Sequence, residues 1–382
     1  MSNNTAISCN LVNNSSSASG NCPLVGKMIT IKKRKNKSFV PLGVPKFNGS
    51  IEEEGLVFDM KIEKTLTPVD KINIEILNKQ NGTIIFQEEI TDRNKLSEGD
   101  HEWTWDGFDT NDVLDTKLLR SLEIEIKATA FMGTQSSFHS EEFKIKRELK
   151  HKWVDIKINK SNNTIDVTLK INFKDGGTNG LNRRVPASVI TNNGNIAPIR
   201  TRTETFSTLK SWAISGINQY WSRNVVINGI TYSVSINAIQ SSANSMKTPK
   251  IIYCTNQTGG RSRNWEASRI LFYNIGYLKY KGQWYLANKN KTDKHYRHTS
   301  AHEVGHEILK AYGGHLYSKR HKETSTLVTQ SPLPNTPYPL RGEIDLMKYS
   351  SDRYYPNRFY THSKAAEKDV NGLIWLTKIK IK

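Results

Sequence analysis

From about residue 25 to residue 148 the apolar side chains recur at every second position, a pattern that buries one face of a sheet but not one face of a helix. Leu56, Phe58, Met60 and Ile62 alternate with Val57, Asp59, Lys61 and Glu63. Ile72, Ile74 and Ile76 repeat the alternation ahead of Asn81-Gly82, and Ile84 and Phe86 resume it afterwards. An Asn-Gly pair between two alternating segments predicts a hairpin whose two turn residues both take positive φ. Further strands are expected around Glu102–Trp105 and Leu122–Ala130. Short strands joined by polar turns, with no helical period between them, predict an all-β sandwich over residues 25–150. Residues 1–24, rich in Asn and Ser, predict a disordered polar arm.

Charge divides the chain at nearly the same place. The net charge is +19, but residues 1–46 hold seven basic residues and no acid, residues 47–150 hold 13 basic and 22 acidic, and residues 151–382 hold 35 basic and 14 acidic. The change of sign predicts a domain boundary near residue 150. A strongly basic C-terminal part favours an anionic surface, whether membrane headgroups, nucleic acid or an acidic polymer. The chain carries no motif of a nucleic-acid module, so no specific nucleic-acid partner is expected. Lys32-Lys33-Arg34-Lys35 reads either as a phosphate or localisation patch or as a flexible basic hairpin. Three cysteines, Cys9, Cys22 and Cys254, exclude a disulfide scaffold and a four-cysteine zinc site. A mean hydropathy of −0.59, with no apolar run near 18 residues, excludes a spanning helix. The first residues have neither a basic nor an apolar signal region, so any export is expected to use a route that reads no such signal.

Beyond Trp153 the period is mixed. Strand-like segments at Asp155–Asn159 and Thr164–Phe173 precede a Gly/Asn/Pro-rich loop, Gly176–Pro198. Phe206, Leu209, Trp212, Ala213, Ile217 and Tyr220 fall at helical spacing and predict a helix over Phe206–Trp221. Strands are expected at Val225–Ile227, Thr231–Ala238, Ile251–Thr255 and Trp284–Ala287. A helix over Thr299–Tyr312 should stop at Gly313-Gly314, and a last helix should cover Ser363–Leu376. Residues 151–382 therefore predict one α+β domain, long enough to bury its own core.

The second of these helices contains His302-Glu303-Val304-Gly305-His306. Residues i and i+4 share one helix face, so both imidazoles can reach a single metal ion. Neutral imidazole suits Zn2+, the expected cofactor, and three protein ligands would leave one position open. Glu303 beside the metal is then placed to take a proton from water. Gly305 predicts close backbone approach where a sheet would pack.

Two resemblances follow from these segments. Gly99–Leu114, GDHEWTWDGFDTNDVL, resembles the "G-x-H-x-x-x-W-D-G" segment of FlgD-type immunoglobulin-like modules. It implies a spacer or binding module in which a strand ends in an Asp-Gly turn and Trp105 packs inward. HEVGH followed by Asp345-Leu346-Met347-Lys348-Tyr349 resembles the zincin metallopeptidases and, through Met347-Lys348-Tyr349, the Met-turn of the metzincins. The metzincin pattern asks for Gly and His three and six residues after the second ligand, where this chain has Leu309 and Tyr312, so the third ligand lies elsewhere. More closely, residues 300–376 resemble metallopeptidases of bacterial contact-dependent and type VI-like effectors. The shared segments are His302–His306, Gly313–Lys322, Gly342–Tyr349 and Ala366–Leu376. That resemblance implies a secreted antibacterial or host-directed peptidase, cytoplasmic before delivery, with a protein or peptide substrate, a secretion-apparatus partner and an immunity protein.

By the metzincin resemblance Tyr349 is expected to donate a hydrogen bond to the oxyanion. Asp345 is expected to accept from a ligand histidine, with Glu343 as the other acid available for that role. Lys310 and Lys319 read as solvated. For the third ligand the candidates are His321, His315, Glu343 and Asp345. His315 follows the glycines at once and would need a very tight reversal; His321 has six more residues of slack and occupies the H-K position of the effector-like pattern, so His321 is preferred. The expected function is a zinc metalloendopeptidase effector. The alternatives are a peptidoglycan-directed zinc hydrolase and a catalytically silent binding or structural component of a secretion apparatus.

Overall fold

The alternating segments form strands, as their period dictates. Leu56–Ile62 buries Leu56, Phe58, Met60 and Ile62 and lies between Ile29–Lys33 and Gly99–Trp105 in a three-stranded antiparallel sheet. A seven-stranded sheet has the order Ser38–Phe39, Ile379–Ile381, Gln135–Arg147, Glu123–Met132, Lys71–Asn78, Thr83–Ile90, with Thr5–Cys9 also paired to Gln135–Arg147. Ile72, Ile74, Ile76, Ile124, Ile126, Ala128 and Ala130 are fully buried on it. Phe58 meets Trp103 of its own sheet and Phe143 of the other, so both sheets close on one core. Side chains also tie them. Met28 N–H donates to Ser137 Oγ at 3.0 Å, Ile31 N–H to His139 Nδ1 at 3.3 Å, and Lys33 N–H to the Glu141 carboxylate. These satisfy backbone donors that no ladder reaches.

The computed structural model describes residues 5–9, 27–34, 38–65, 67–120, 122–147, 151–178, 204–255, 262–280, 283–287, 289–328, 330–334, 336, 338–349 and 356–381. The fold is α+β, with five sheets and seven helices among the described residues. Two are single turns, α1 (Arg93–Leu96) and α2 (Thr116–Leu119). The others are α3 (Phe206–Trp221), α4 (Lys289–Gly313), α5 (His315–Lys319), α6 (Pro356–His362) and α7 (Glu367–Trp375). None is long and apolar enough to cross a membrane.

Several local expectations change in the fold. The Asn81-Gly82 hairpin forms, but only Gly82 takes positive φ (+70°); the loop is longer, closed by Gly82 N–H to Asn78 O at 2.8 Å, and Asn81 Oδ1 accepts from Thr83 N–H. Thr5–Cys9 is a strand rather than part of a structureless arm, because the edge of Gln135–Arg147 offers it a ladder; the rest of residues 1–24, with Cys22, lies outside the described residues. Of the basic run, Lys32 and Lys33 lie in a strand, and Arg34 pairs with Asp59 and Glu102 at 2.7 and 2.6 Å. The loop expected over Gly176–Pro198 lies outside the described residues from 179 onward; its start belongs to Lys174–Thr178, a strand parallel to Lys250–Thr255. Trp105 is 1% exposed, and its Nε1–H donates to Phe108 O at 2.8 Å across the turn at Gly107.

The C-terminal part holds two five-stranded sheets. One has the order Arg223–Ile227, Ile230–Gln240, Thr164–Ile171, Val154–Asn159, Val113–Asp115, with a parallel pair at its centre. The other places Lys174–Thr178, Lys250–Thr255 and Ser268–Tyr280 parallel, with Arg263–Trp265 antiparallel on the edge and Gln283–Ala287 paired to the far end of Ser268–Tyr280. Thr205 caps α3, its Oγ1 accepting from Thr208 N–H at 3.1 Å. α3 lies close against α4 at Gly216, where a Cβ would stand 2.3 Å from the Arg297 carbonyl oxygen. α4 begins at Lys289, well before the expected Thr299. Its first turns carry few apolar residues, and tertiary contacts hold them: Tyr296 meets Tyr273 with ring centroids 5.4 Å apart, and His298 meets Phe359 at 4.5 Å.

The change of charge near residue 150 does not coincide with a break in packing. Ile379–Ile381, at the end of the chain, lies between Ser38–Phe39 and Gln135–Arg147, while Val113–Asp115 pairs with Val154–Asn159. Phe47 stands edge-on to Tyr312 and Tyr317, and Tyr312 OH donates to Pro45 O at 3.2 Å. One hydrophobic cluster runs through both parts. Surface charge sorts the two halves, but the buried residues that stitch them are almost all uncharged.

Candidate metal centre

α4 sets His302 and His306 one turn apart on the same face. The helix ends at Gly313, and Gly314, at φ +92°, turns the chain into the short α5. His321 then returns to the first two rings. Ring centroids are 4.9 Å apart for His302–His306, 5.2 Å for His302–His321 and 4.8 Å for His306–His321. One nitrogen from each ring lies within 4.8 Å of the others.

A neutral imidazole has one N–H and one lone pair, so the partner of the first fixes the place of the second. His302 Nδ1 is 2.7 Å from the Leu346 carbonyl, which can only accept; the lone pair is therefore on Nε2. Ser318 Oγ donates to His306 O at 2.8 Å, so at 3.2 Å it accepts from His306 Nδ1–H. His321 Nδ1 is hydrogen-bonded to Ser325 Oγ at 2.8 Å. Every Nδ1 thus has a hydrogen-bond partner, and a ring that carries its proton there presents Nε2 as its metal-binding atom. Three neutral imidazoles oriented from outside in this way are a donor set that fits a divalent metal ion.

No model of a known protein family and no curated protein matches this chain.

The segment Asp345–Tyr349 runs beneath α4. Leu346 supplies the carbonyl to His302, and Met347, 0% exposed, lies under Gly305, where a Cβ would stand 2.3 Å from Met347 Sδ and 2.8 Å from Trp221 Cζ2. The close approach expected at Gly305 is therefore to a methionine and a tryptophan, not to a sheet. Asp345 is not the acceptor for a ligand histidine. Its Oδ1 accepts from Met347 N–H at 3.0 Å and its Oδ2 pairs with Lys322 at 2.7 Å, because the turn brings the Leu346 carbonyl, rather than the preceding side chain, to the ring. Glu343 is largely exposed and pairs with Arg223 at 3.0 Å. Tyr349 stacks on His321 with centroids 3.6 Å apart, and its N–H donates to Thr324 Oγ1.

Glu303 is 5% exposed, and its backbone carbonyl accepts from Asn264 Nδ2 at 2.8 Å, tying the helix to the edge strand Arg263–Trp265. Between that strand and α4, a pocket beside His306 is lined by Asn264, Trp265, Lys310, His315 and Lys319. His315 is exposed there, away from the three clustered rings. Lys310 and Lys319 are not simply solvated: Lys310 pairs with Glu266, and the Lys319 ammonium lies 5.1 Å from the Trp265 ring centroid. His298, whose ring stacks at 6.5 Å from that of His302, is held well below its ordinary pKa by burial and then by its histidine neighbours, which keeps it uncharged.

Sequence reasoning missed the supports. Ser318, Ser325 and the Leu346 carbonyl orient the rings. Ser318 and Leu346 fall inside segments that the effector-like pattern marks, but nothing in that pattern gives them this role. Lys322 was also missed. Its ammonium, on a side chain 7% exposed, lies 2.7 Å from both Asp345 and Asp369. Burial alone would lower its pKa, but the attraction of the two carboxylates outweighs this and raises it. Burial pushes Asp369 up to about 6, against the pull of Lys322.

Proposed function

We propose that this chain is a zinc-dependent peptidase, with His302, His306 and His321 as ligands and Glu303 as general base. The observation that carries the reading is the set of three imidazoles whose Nδ1 atoms are all engaged, on and beside a helix bearing H-E-x-x-H. A zinc ion held there would supply Lewis acidity, polarising a peptide carbonyl and lowering the pKa of water. Glu303, next to His302 on the helix, takes the proton of the attacking water and passes it to the leaving amine. Tyr349, stacked on His321, is the donor for the carbonyl oxygen as it gains charge. Asn264 holds the edge strand against the Glu303 turn of the helix, so the pocket there is fixed relative to the ligands.

Two sheets that draw most of their strands from residues 25–150 and close on one core support the reading of that part as an immunoglobulin-like spacer or binding module. The effector-like segments support delivery as a secreted effector, with a secretion-apparatus partner and an immunity protein. The basic C-terminal part supports attraction to an anionic surface.

The test is metal analysis of the purified protein together with a casein cleavage assay, with and without chelator. We expect one zinc per chain and chelator-sensitive cleavage. Glu303→Gln should keep its zinc and lose at least ~10²-fold in turnover. His321→Ala should lose tight zinc binding while His315→Ala retains it. A protein that binds no zinc, or a Glu303→Gln variant that cleaves at the parent rate, would refute the proposal.

A further inference from the structure

We infer that Lys322 is a positioning residue for the metal centre: its buried ammonium holds the strained turn that presents His321 and, through Asp345, the turn that orients His302. The inference rests on the metal-site reading above.

His321, Lys322 and Glu323 have φ of 48°, 56° and 67°, three consecutive left-handed residues, none of them glycine. L-residues disfavour that region singly, and a run of three persists only where the surroundings over-determine it. Backbone bonds contribute, from Lys322 N–H to Tyr317 O at 3.0 Å and from Ser325 N–H to Arg320 O at 3.0 Å. The side chain between them adds what these cannot, a link to other segments. Lys322 Nζ lies 2.7 Å from Asp345 Oδ2 and 2.7 Å from Asp369 Oδ2. Asp369 is 0% exposed on α7, and its carboxylate belongs to a helix packed against α4. Asp345, through its other oxygen, accepts from Met347 N–H at 3.0 Å and so shapes the turn whose Leu346 carbonyl receives His302 Nδ1–H.

One ammonium therefore joins the support of the third ligand to the support of the first. An uncharged hydrophobe of the same length would fill the space but could hold neither carboxylate. A positioning role predicts a consequence that simple packing does not: coordination should loosen in a protein that is still folded. Losing such outer supports typically weakens metal binding about 10–100-fold.

The test uses the full chain. Zinc affinity is measured by chelator competition, and the visible absorption bands of the cobalt(II)-loaded protein report coordination geometry. Near-UV circular dichroism confirms the fold. Lys322→Met should weaken zinc about 10–100-fold and shift the cobalt bands with the dichroism kept. If Lys322→Met does not fold, Asp369→Asn, which leaves Lys322 paired with Asp345, decides by the same two measurements. A folded variant with parent affinity and parent cobalt bands would overturn the inference. Parent protein and His321→Ala are run alongside. A parent that binds no metal refutes the metal site itself, whereas a parent that binds and a His321→Ala that binds equally well removes His321 as ligand and the positioning role with it.

Discussion

Gly305→Ala sets two known effects against each other at one atom. In a helix interior the substitution gains about 1 kcal/mol from propensity alone. Here the new Cβ would lie 2.3 Å from Met347 Sδ, 2.9 Å from Met347 Cε and 2.8 Å from Trp221 Cζ2. Favourable carbon contacts begin near ~3.5 Å, so the overlap is large. A methionine end could swing away from such a contact in open space, but Met347 and Trp221 are both 0% exposed. Trp221 is further held by its Nε1–H to Ala301 O at 3.1 Å. Overpacking of a filled core costs about 1–3 kcal/mol; overlaps this deep belong at its upper end, about 2–3 kcal/mol, which leaves a net loss of about 1–2 kcal/mol. Displacing Met347 also moves Leu346, whose carbonyl is 2.7 Å from His302 Nδ1, so zinc affinity should fall as well. Urea unfolding of the metal-free protein measures the first effect, and chelator competition the second. Met347→Ala in the same chain should open the space, giving a coupling energy of about 1 kcal/mol or more between the two sites. A Gly305→Ala protein as stable as its parent, or additive behaviour in the double variant, would refute the contact.

Two further outcomes are expected. Deleting residues 379–382 removes a strand whose Ile379 and Ile381 are 4% and 9% exposed, worth at most about 3–6 kcal/mol of burial, so the melting temperature of the whole chain should drop; an unchanged melt would mean that the strand is a mere appendage. His139 is 2% exposed and burial depresses its pKa, so it stays neutral in the fold but protonates in the unfolded chain near pH ~6.5. Its contribution is therefore complete above that pH and is lost as pH falls towards the folded value. His139→Gln should flatten the decline of the urea midpoint below about pH 6.5, and parallel curves for the two proteins would count against it.

Much of the site was legible because helix geometry is local. The i, i+4 spacing puts His302 and His306 on one face whatever packs around them, and the Gly313-Gly314 stop is a property of the backbone at that point. Slack in the chain also favoured His321 over His315, and the three clustered rings are those of His302, His306 and His321. The supports were not legible. Which carbonyl meets His302 depends on how a turn over forty residues away is shaped, and the acid expected to orient a ligand, Asp345, holds that turn and Lys322 instead.

The same division runs through the fold. Period two, turn residues and the Phe206–Trp221 stripe specified strands and a helix from the sequence alone, because alternation and 3.6-residue spacing are imposed by backbone geometry within a few residues. Tertiary structure alone decided that α4 starts at Lys289, since aromatic neighbours from distant strands and helices bury a polar stretch that has no apolar period of its own. It alone placed Ile379–Ile381 in a sheet begun near the other end of the chain, because a free strand edge accepts any extended segment that can reach it and bury its side chains. And it alone assembled the ion cluster of Lys322, Asp345 and Asp369: a buried charge must find its partners in space, and no spacing along the chain announces where they will be.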